Sequence, residues 1–176
     1  MKPLRLAVFT KTRTNPAYAA ARLGAERTAL RLGASVTHYV PGKPDDIDEQ
    51  IALIDEALVA RPDAFVFVPV HVTAVEEALG RVQAAGRPIV NILNRMSAGK
   101  FVSFVGSDDY RIGREMAGYL ARHLKERGNI VLMEGMPGSL TSTDRMRGFR
   151  DALKDYPGVF VLATLAGEYQ QAAARA

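Results

Sequence analysis

The sequence predicts an α/β fold in which a parallel sheet carries helices on both of its faces. Along the whole chain, short apolar segments alternate with segments whose apolar residues recur at helical spacing. The segment 64–70 is too apolar for a strand that faces water on one side, which is typical of a central parallel strand. Glycine and proline stand between these segments, where turns are expected.

The first elements are a strand over 4–9, a helix over 17–32 and a second strand over 35–40. Gly33 stands where a helix-ending glycine belongs. The inward face of this helix is predicted as one stripe of residues: Tyr18, Ala21, Ala25, Ala29 and Leu32.

The next elements are an amphipathic helix, the central strand over 64–70 and a third helix that ends at Gly86. We expect Thr73 to cap this third helix. Apolar residues at i, i+4, i+7 and i+11 mark the inward face of the amphipathic helix: Ile47, Ile51, Ile54 and Leu58. The third helix carries its own apolar set: Val75, Ala78, Leu79 and Val82.

Strands over 88–93 and 101–105 follow, and Asp108 is expected to cap a fourth helix that closes at Gly128. The apolar face of this helix is predicted from its spacing: Ile112, Met116, Leu120 and Leu124. The remaining elements are a strand over 129–133, a loop rich in glycine and serine, a helix over 143–153, a strand over 159–164 and the start of a helix over 170–176.

Composition limits the function. With 176 residues and 48% apolar content, the chain can bury the core of one large domain, or of one domain and a fragment. No stretch approaches the roughly 20 apolar residues that span a bilayer, so membrane insertion is not expected. The net charge of +4 is interleaved with acidic residues, which does not favour nucleic-acid binding. The absence of cysteine excludes disulfides, thiolate metal sites and cysteine nucleophiles.

The amino terminus leads directly into the first strand and shows no apolar signal segment. We therefore expect a cytoplasmic protein if this start is authentic, and a periplasmic or cell-surface protein if a leader was removed.

Polar residues follow three of the predicted strands. Asn15 comes after the first strand, Asn94 and Arg95 come directly after the strand over 88–93, and Arg145 lies beyond the strand over 129–133. The carboxyl ends of parallel strands are where open α/β sheets bind small molecules. The sequence therefore predicts a ligand site at this edge. Lys11 and Arg13 of the first loop could add positive charge there, which leaves an acidic or phosphorylated sugar, or another carboxylated solute, as an alternative ligand.

Several short motifs occur in an order and spacing that resemble one known family. They are Asn15-Pro16-Ala17-Tyr18, Val68-Pro69, Asn94-Arg95, Val105-Gly106-Ser107-Asp108 with Gly113 and Ala117, and Arg145-Met146-Arg147-Gly148-Phe149. Together they resemble the type I periplasmic sugar-binding proteins, the ribose-binding-protein group, whose ligand domain is shared by LacI-type repressors.

The resemblance implies a complete amino-terminal lobe over 1–105 and the incomplete start of a carboxyl-terminal lobe over 106–176. It implies a sugar or polyol held in an interlobe cleft and passed to the permease of an ABC transporter, with hinge closure as the signal. It also implies the ligand contacts Asn15, Tyr18, Asn94, Arg95 and Arg145. The family commonly has an acidic residue at position 94 and an aromatic one at position 17, where this chain has Asn94 and Ala17.

These residue types suit a polyhydroxylated ligand. The guanidinium of Arg95 or Arg145 can bridge adjacent hydroxyls with charge-assisted hydrogen bonds. The amides of Asn15 and Asn94 supply donors and acceptors, and the ring of Tyr18 can stack on the apolar face of a sugar.

Structural roles compete with these contacts. Asn15 and Pro16 are also a good helix start, Asn94 can satisfy loop backbone, and Asp108 favours a capping role. Arg145 and Arg147 cannot both point into a cleft, and the resemblance selects Arg145. His71 lies at another strand end and could line the site, although a lone histidine in a loop is more often incidental. His38 and His123 have no partners at metal or catalytic spacing.

No motif for catalysis, for a nucleotide cofactor or for a metal is present, so we expect neither an enzyme nor a cofactor. The loop 134–139 precedes a helix and could hold an anion, although a flexible cleft loop is the simpler interpretation. Two alternatives remain: the effector domain of a LacI-type regulator, which requires a helix-turn-helix ahead of the first strand, and a flavodoxin-like enzyme, which requires a bound cofactor.

Overall fold

The computed structural model describes residues 2–136 and 139–175. The chain divides between Gly106 and Ser107 into two compact units. Each unit alternates strands and helices, as the sequence predicts.

The first unit is a five-stranded parallel sheet with the strand order β2-β1-β3-β4-β5. Its middle strand is β3, which confirms the central position predicted for the apolar segment 64–70, although the strand itself is shorter. The elements are β1 (Arg5–Phe9), α1 (Pro16–Leu32), β2 (Ser35–Tyr39), α2 (Ile47–Ala60), β3 (Ala64–Phe67), α3 (Glu76–Ala84), β4 (Ile89–Ile92) and β5 (Ser103–Val105).

Aromatic rings from the central strands form the middle of the first core. Phe9 stacks on Tyr39 and on Phe65 with ring centroids 4.9 and 5.8 Å apart. The predicted inward faces of α2 and α3 are confirmed, because their apolar residues either belong to this core or pack against it. Offset aromatic stacking adds to the free energy gained by burying these rings.

Two local predictions in the first unit are wrong. Leu32, placed on the buried stripe of α1, is 72% exposed because it lies in the final helical turn, directly before Gly33 turns the chain with φ 65°. Thr73 does not cap α3, which begins at Glu76 and has no side-chain cap. Instead, Nδ1 of His71 accepts hydrogen bonds from the backbone N–H groups of Thr73 and Ala74.

The second unit contains a separate two-stranded parallel sheet. The core of the second unit combines small residues of the helix over 109–123 with larger apolar residues of the other elements, such as Ile130, Leu132, Met146 and Phe149. The elements are α4 (Asp109–His123), β6 (Arg127–Glu134), α5 (Leu140–Leu153), β7 (Gly158–Ala166) and a short 3-10 helix (Ala173–Arg175) where a longer helix was expected.

The sequence pattern predicted the buried face of α4 only in part, since Leu120 and Leu124 pack against the second core as expected. The fully buried residues of this helix are small ones, including Gly113, Ala117 and Ala121, whereas Met116 is 55% exposed. The reason is that α4 packs closely against α5, where large side chains have no room. Gly128 lies within β6 and does not end the helix. The cap predicted at Asp108 is confirmed, since its carboxylate accepts the N–H of Arg111 at 2.9 Å.

Candidate ligand-binding site

Four of the predicted site residues follow strands that run in the same direction. Asn15 and Tyr18 come after β1, and Asn94 and Arg95 come after β4. Both strands flank β3 in an all-parallel sheet, so their carboxyl ends open on the same edge. The topology of the first unit thus brings these residues to one sheet edge.

The loop after β1 is held by the half-buried Arg22 and by the buried Lys11. Arg22 of α1 donates to the hydroxyl oxygen of Thr10 at 2.8 Å and to the carbonyl oxygen of Thr12 at 3.1 Å. Nζ of Lys11 lies 2.7 Å from a carboxylate oxygen of Asp45, and the Lys11 side chain is only 6% exposed. The positive charge that the sequence assigned to the pocket is therefore balanced within the first unit.

Asn15 is the cap of α1. Its side-chain oxygen accepts the N–H of Ala17 at 2.9 Å, and Pro16 occupies the first helical position. The structural role that the sequence left open is thus present. The capping bond uses the amide oxygen, so the NH₂ group of Asn15 is not part of it.

The loop after β3 is held by Gln50 of α2, a fully buried side chain. Its Nε2 donates to the carbonyl oxygen of Val68 at 3.0 Å, and its Oε1 accepts the N–H of Val70 at 2.9 Å. One amide therefore satisfies two loop backbone groups and ties the end of β3 to α2.

The turn after β4 is held by Asn91, which is 1% exposed and contacts three backbone groups. Leu93 in this turn has a φ of 63°, a conformation that costs a residue with a Cβ about 1–2 kcal/mol. Asn94 follows and is itself buried, at 7% exposure.

The exposed side chain of Arg95 lies over an aromatic ring. Its guanidinium carbon is 4.2 Å from the ring centroid of Phe104 on β5. A cation over a ring face gains about 0.5–1 kcal/mol at an exposed site. A guanidinium that stacks on a ring with its face keeps its in-plane N–H groups available to a ligand.

In the second unit, Arg145 of α5 forms an ion pair with Asp109, with Nε 2.8 Å from a carboxylate oxygen. Arg145 also borders a cavity of about 340 Å³, together with residues such as Gly113, Leu132, Gly135 and Tyr169. Arg147 is 62% exposed, pairs with Asp144 and lies over the ring of Tyr110. Two residues of the predicted anion loop, 137 and 138, lie outside the described part of the chain.

Three supporting residues were missed by the sequence reasoning: Arg22, Gln50 and Asn91. The signal for two of them was present, because Gln50 lies next to the inward stripe of α2 and Asn91 interrupts an apolar strand. A buried polar side chain must find hydrogen-bond partners, so each of these positions indicates an internal brace.

Neither a metal site nor a membrane span is found in the described residues. Within 2–136 and 139–175, no group of three or more His, Asp or Glu side chains is arranged to hold a metal ion. None of the helices described is long and apolar enough to cross a membrane.

Residues 6–176 match the family model described as periplasmic binding protein domain. A D-ribose/D-allose-binding protein of Pseudomonas aeruginosa is 30% identical over 131 residues, which are 71% of this chain and 41% of that protein. A ribose import binding protein of Bacillus subtilis is 25% identical over 150 residues, which are 85% of this chain and 48% of that protein. The chain therefore spans about half the length of the curated relatives it matches.

Solved structures show the same fold. An ABC transporter periplasmic solute binding protein from Actinobacillus succinogenes, with bound D-allose, superposes with a TM-score of 0.92 at 27% identity, covering 98% of this chain and 62% of that one. A carbohydrate transporter solute binding protein from Agrobacterium radiobacter, in complex with D-arabinose, superposes with a TM-score of 0.89 at 26% identity, covering 98% and 60%. The family model covers almost the whole chain, and the relatives and solved structures above agree with it. The chain therefore belongs to the periplasmic binding protein family, in its type I sugar-binding group.

Proposed function

We propose that this chain is the ligand-binding part of a periplasmic solute-binding protein, which delivers a sugar or polyol to the permease of an ABC importer. The named relatives support this proposal, since they include import or binding proteins for ribose, apiose and xylitol. None of these relatives is an enzyme by name, which agrees with the absence of catalytic motifs in the sequence.

The observation that carries the proposal is the braced edge of the first sheet. Loops after three neighbouring strands are each held by one polar side chain, from the half-buried Arg22 or the buried Gln50 and Asn91. A sugar must regain from the protein the hydrogen bonds that it loses to water, and donors already held in place bind it at a lower entropic cost. Asn15, Tyr18, Asn94 and Arg95 are the proposed contacts at this edge, and Arg145 is proposed from the family resemblance.

The charges favour a neutral ligand over an acidic sugar. Lys11 is paired with Asp45, and Arg145 is paired with Asp109. We therefore assign Lys11 a supporting role in the loop after β1, and Arg95 and the exposed Arg13 remain as cations in the loops at this edge. A guanidinium group suits two adjacent hydroxyls as well as a carboxylate, so these two cations do not require an acidic ligand.

The test is a titration of the 176-residue chain, followed by amide NMR, with D-ribose, D-allose, D-arabinose, xylitol and D-glucuronate. We expect at least one neutral sugar or polyol to shift the amide signals of the loops after β1 and β4, with D-glucuronate weaker. If no compound shifts these loops at millimolar concentration, the proposed site is wrong. A response to D-glucuronate alone would reject the neutral ligand class.

A further inference from the structure

A single buried side chain ties the backbone on both sides of Arg95. Nδ2 of Asn91 donates to the carbonyl oxygen of Asn94 at 2.9 Å, and Oδ1 of Asn91 accepts the N–H of Met96 at 3.0 Å. Asn94 and Met96 are the residues directly before and after Arg95. The same amide also donates to the carbonyl oxygen of Phe67 at 3.2 Å, which anchors it to the neighbouring strand β3.

The chemistry of these partners fixes the amide in one orientation. A backbone N–H can only donate and a backbone carbonyl can only accept, so the oxygen of Asn91 must face Met96 and its nitrogen must face the two carbonyls. Both N–H groups of the side chain are used. No aliphatic or acidic side chain of the same size offers this set of two donors and one acceptor.

The turn held by Asn91 is strained. The N–H of Asn94 bonds to the carbonyl oxygen of Ile92 at 2.8 Å, which closes a γ-turn about Leu93. With φ at 63°, this is the positive-φ form of the turn, which is rare in proteins. Such a conformation persists only where the surrounding structure over-determines it, and such sites cluster where a protein binds or reacts.

We propose that Asn91 is a positioning residue for ligand binding, which holds the strained turn 93–96 in the one arrangement that presents Asn94 and Arg95 at the sheet edge. This inference rests on the proposed function, because it takes Asn94 and Arg95 as ligand contacts. Stacking of Arg95 on Phe104 orders the end of its side chain, and Asn91 orders the backbone from which that side chain starts. The two contacts together leave the guanidinium few alternative positions.

The test uses Asn91→Asp in the 176-residue chain. The introduced carboxylate keeps the shape of the amide but cannot donate to the carbonyls of Phe67 and Asn94. Leaving buried groups without partners lowers sugar affinity by roughly tenfold at neutral pH. Burial beside carbonyl oxygens raises the pKa of the introduced group, and its protonated form regains one donor. We therefore expect affinity to recover partly on acidification, while the affinity of the original chain stays constant over the same pH range.

Asn129→Asp is the matched control, because it makes the same chemical change at an exposed strand position of the second unit. It should alter neither affinity nor its pH dependence. If Asn91→Asp is too unstable to study at neutral pH, Asn91→Thr supplies an uncharged change that still loses affinity roughly tenfold, since a single hydroxyl cannot replace three hydrogen bonds. Equal sugar affinity in the original chain and in either variant at neutral pH would overturn the proposal.

A second readout needs no ligand. In Asn91→Asp, the amide signals of 94–96 should titrate together with the introduced carboxyl group, and those of the original chain should not. If the original chain binds no sugar of the panel, the proposed function fails while this titration still decides whether residue 91 holds the turn. Signals of 94–96 that do not respond to the titration would overturn the positioning role.

Discussion

Gly113 on α4 lies directly against the backbone carbonyl of Arg145 on α5, with no room for a Cβ atom. The contact is reciprocal, since Gly148 on α5 lies in the same way against the carbonyl of Tyr110 on α4. The two helices therefore meet backbone to backbone. This contact fixes the position of the backbone from which the Arg145 side chain extends.

Gly113→Ala should destabilise the second unit. In an exposed helix interior this change stabilises by up to about 1 kcal/mol, but overpacking a close contact costs about 1–3 kcal/mol. The contact is to backbone, which cannot rotate away, so we expect a net loss of roughly 1–2 kcal/mol in the free energy of unfolding. Urea unfolding followed by circular dichroism measures it.

Gly118→Ala on the same helix is the control. A Cβ there would meet only the far end of the Arg122 side chain, at 3.1 Å, and the hydroxyl of Tyr156, at 3.6 Å. The flexible Arg122 can move aside, so the change should be neutral or slightly stabilising. A gain in stability from Gly113→Ala would show that α4 and α5 are not in backbone contact.

This helix pair also shows where sequence reasoning stops. The apolar spacing of α2 and α3 predicted their buried faces, because large side chains there fill space against a sheet. In α4 the buried face is instead made of glycine and alanine, which carry little hydrophobic signal. A pattern of large apolar residues cannot reveal a contact that depends on their absence.

The sequence indicated where the candidate site residues stand in the fold, but not which side chains hold their loops in place. Asn94 and Arg95 could be identified because they directly follow a buried strand, a position that depends on chain order alone. Gln50 and Asn91 act on backbone groups that the fold brings near, such as Val68 and Phe67. The partners lie 18 and 24 residues away in the chain, so no local pattern specifies them.

Asn15→Asp separates capping from ligand binding. Aspartate caps a helix as well as asparagine does, so the stability of the first unit should change by less than about 0.5 kcal/mol. It lacks the NH₂ donors, and losing one hydrogen bond to a sugar hydroxyl should weaken affinity roughly fivefold. Thermal unfolding and a sugar titration by NMR measure the two effects. Affinity equal to that of the original chain would leave Asn15 with its capping role alone.

Arg95→Ala should abolish detectable sugar binding and barely change the melting temperature. The side chain is exposed and lies over the face of the Phe104 ring, so little stability depends on it. Phe104→Leu should keep the charge but release the guanidinium, which lowers affinity by roughly twofold to fivefold through the lost cation–π energy. Calorimetric titration with the best sugar of the panel measures both variants.

Arg147→Ala is the matched control for this series, since it removes an exposed arginine that also lies over a ring, that of Tyr110. It should leave affinity unchanged. If Arg95→Ala binds sugar as tightly as Arg147→Ala does, then Arg95 is not a ligand contact, however well its guanidinium is placed.

Asp151 gives the second unit a small dependence on acid pH. A hydrogen bond from Lys154, at 2.6 Å, and a second from the hydroxyl of Tyr110, at 3.1 Å, hold the pKa of this carboxyl below its usual value of 3.8. Since the folded pKa lies below the unfolded one, the unfolded chain binds this proton first as the pH falls. The stability that the group contributes is therefore present at neutral pH and is lost below about pH 4.

Lys154→Met should raise the pKa of Asp151 toward its usual value and reduce the loss of stability on acidification, because it removes the larger of the two causes. Tyr110→Phe should raise the same pKa by less.

Carboxyl-carbon NMR of the Asp151 side chain from neutral pH to pH 2 measures the titration directly. Lys100→Met, a change in the first unit, serves as the control. The stability difference should be small, since exposed ion pairs are well screened by water and salt. If Lys154→Met leaves the Asp151 titration where it is in the original chain, the ammonium of Lys154 does not hold this carboxylate in solution, and the prediction is wrong.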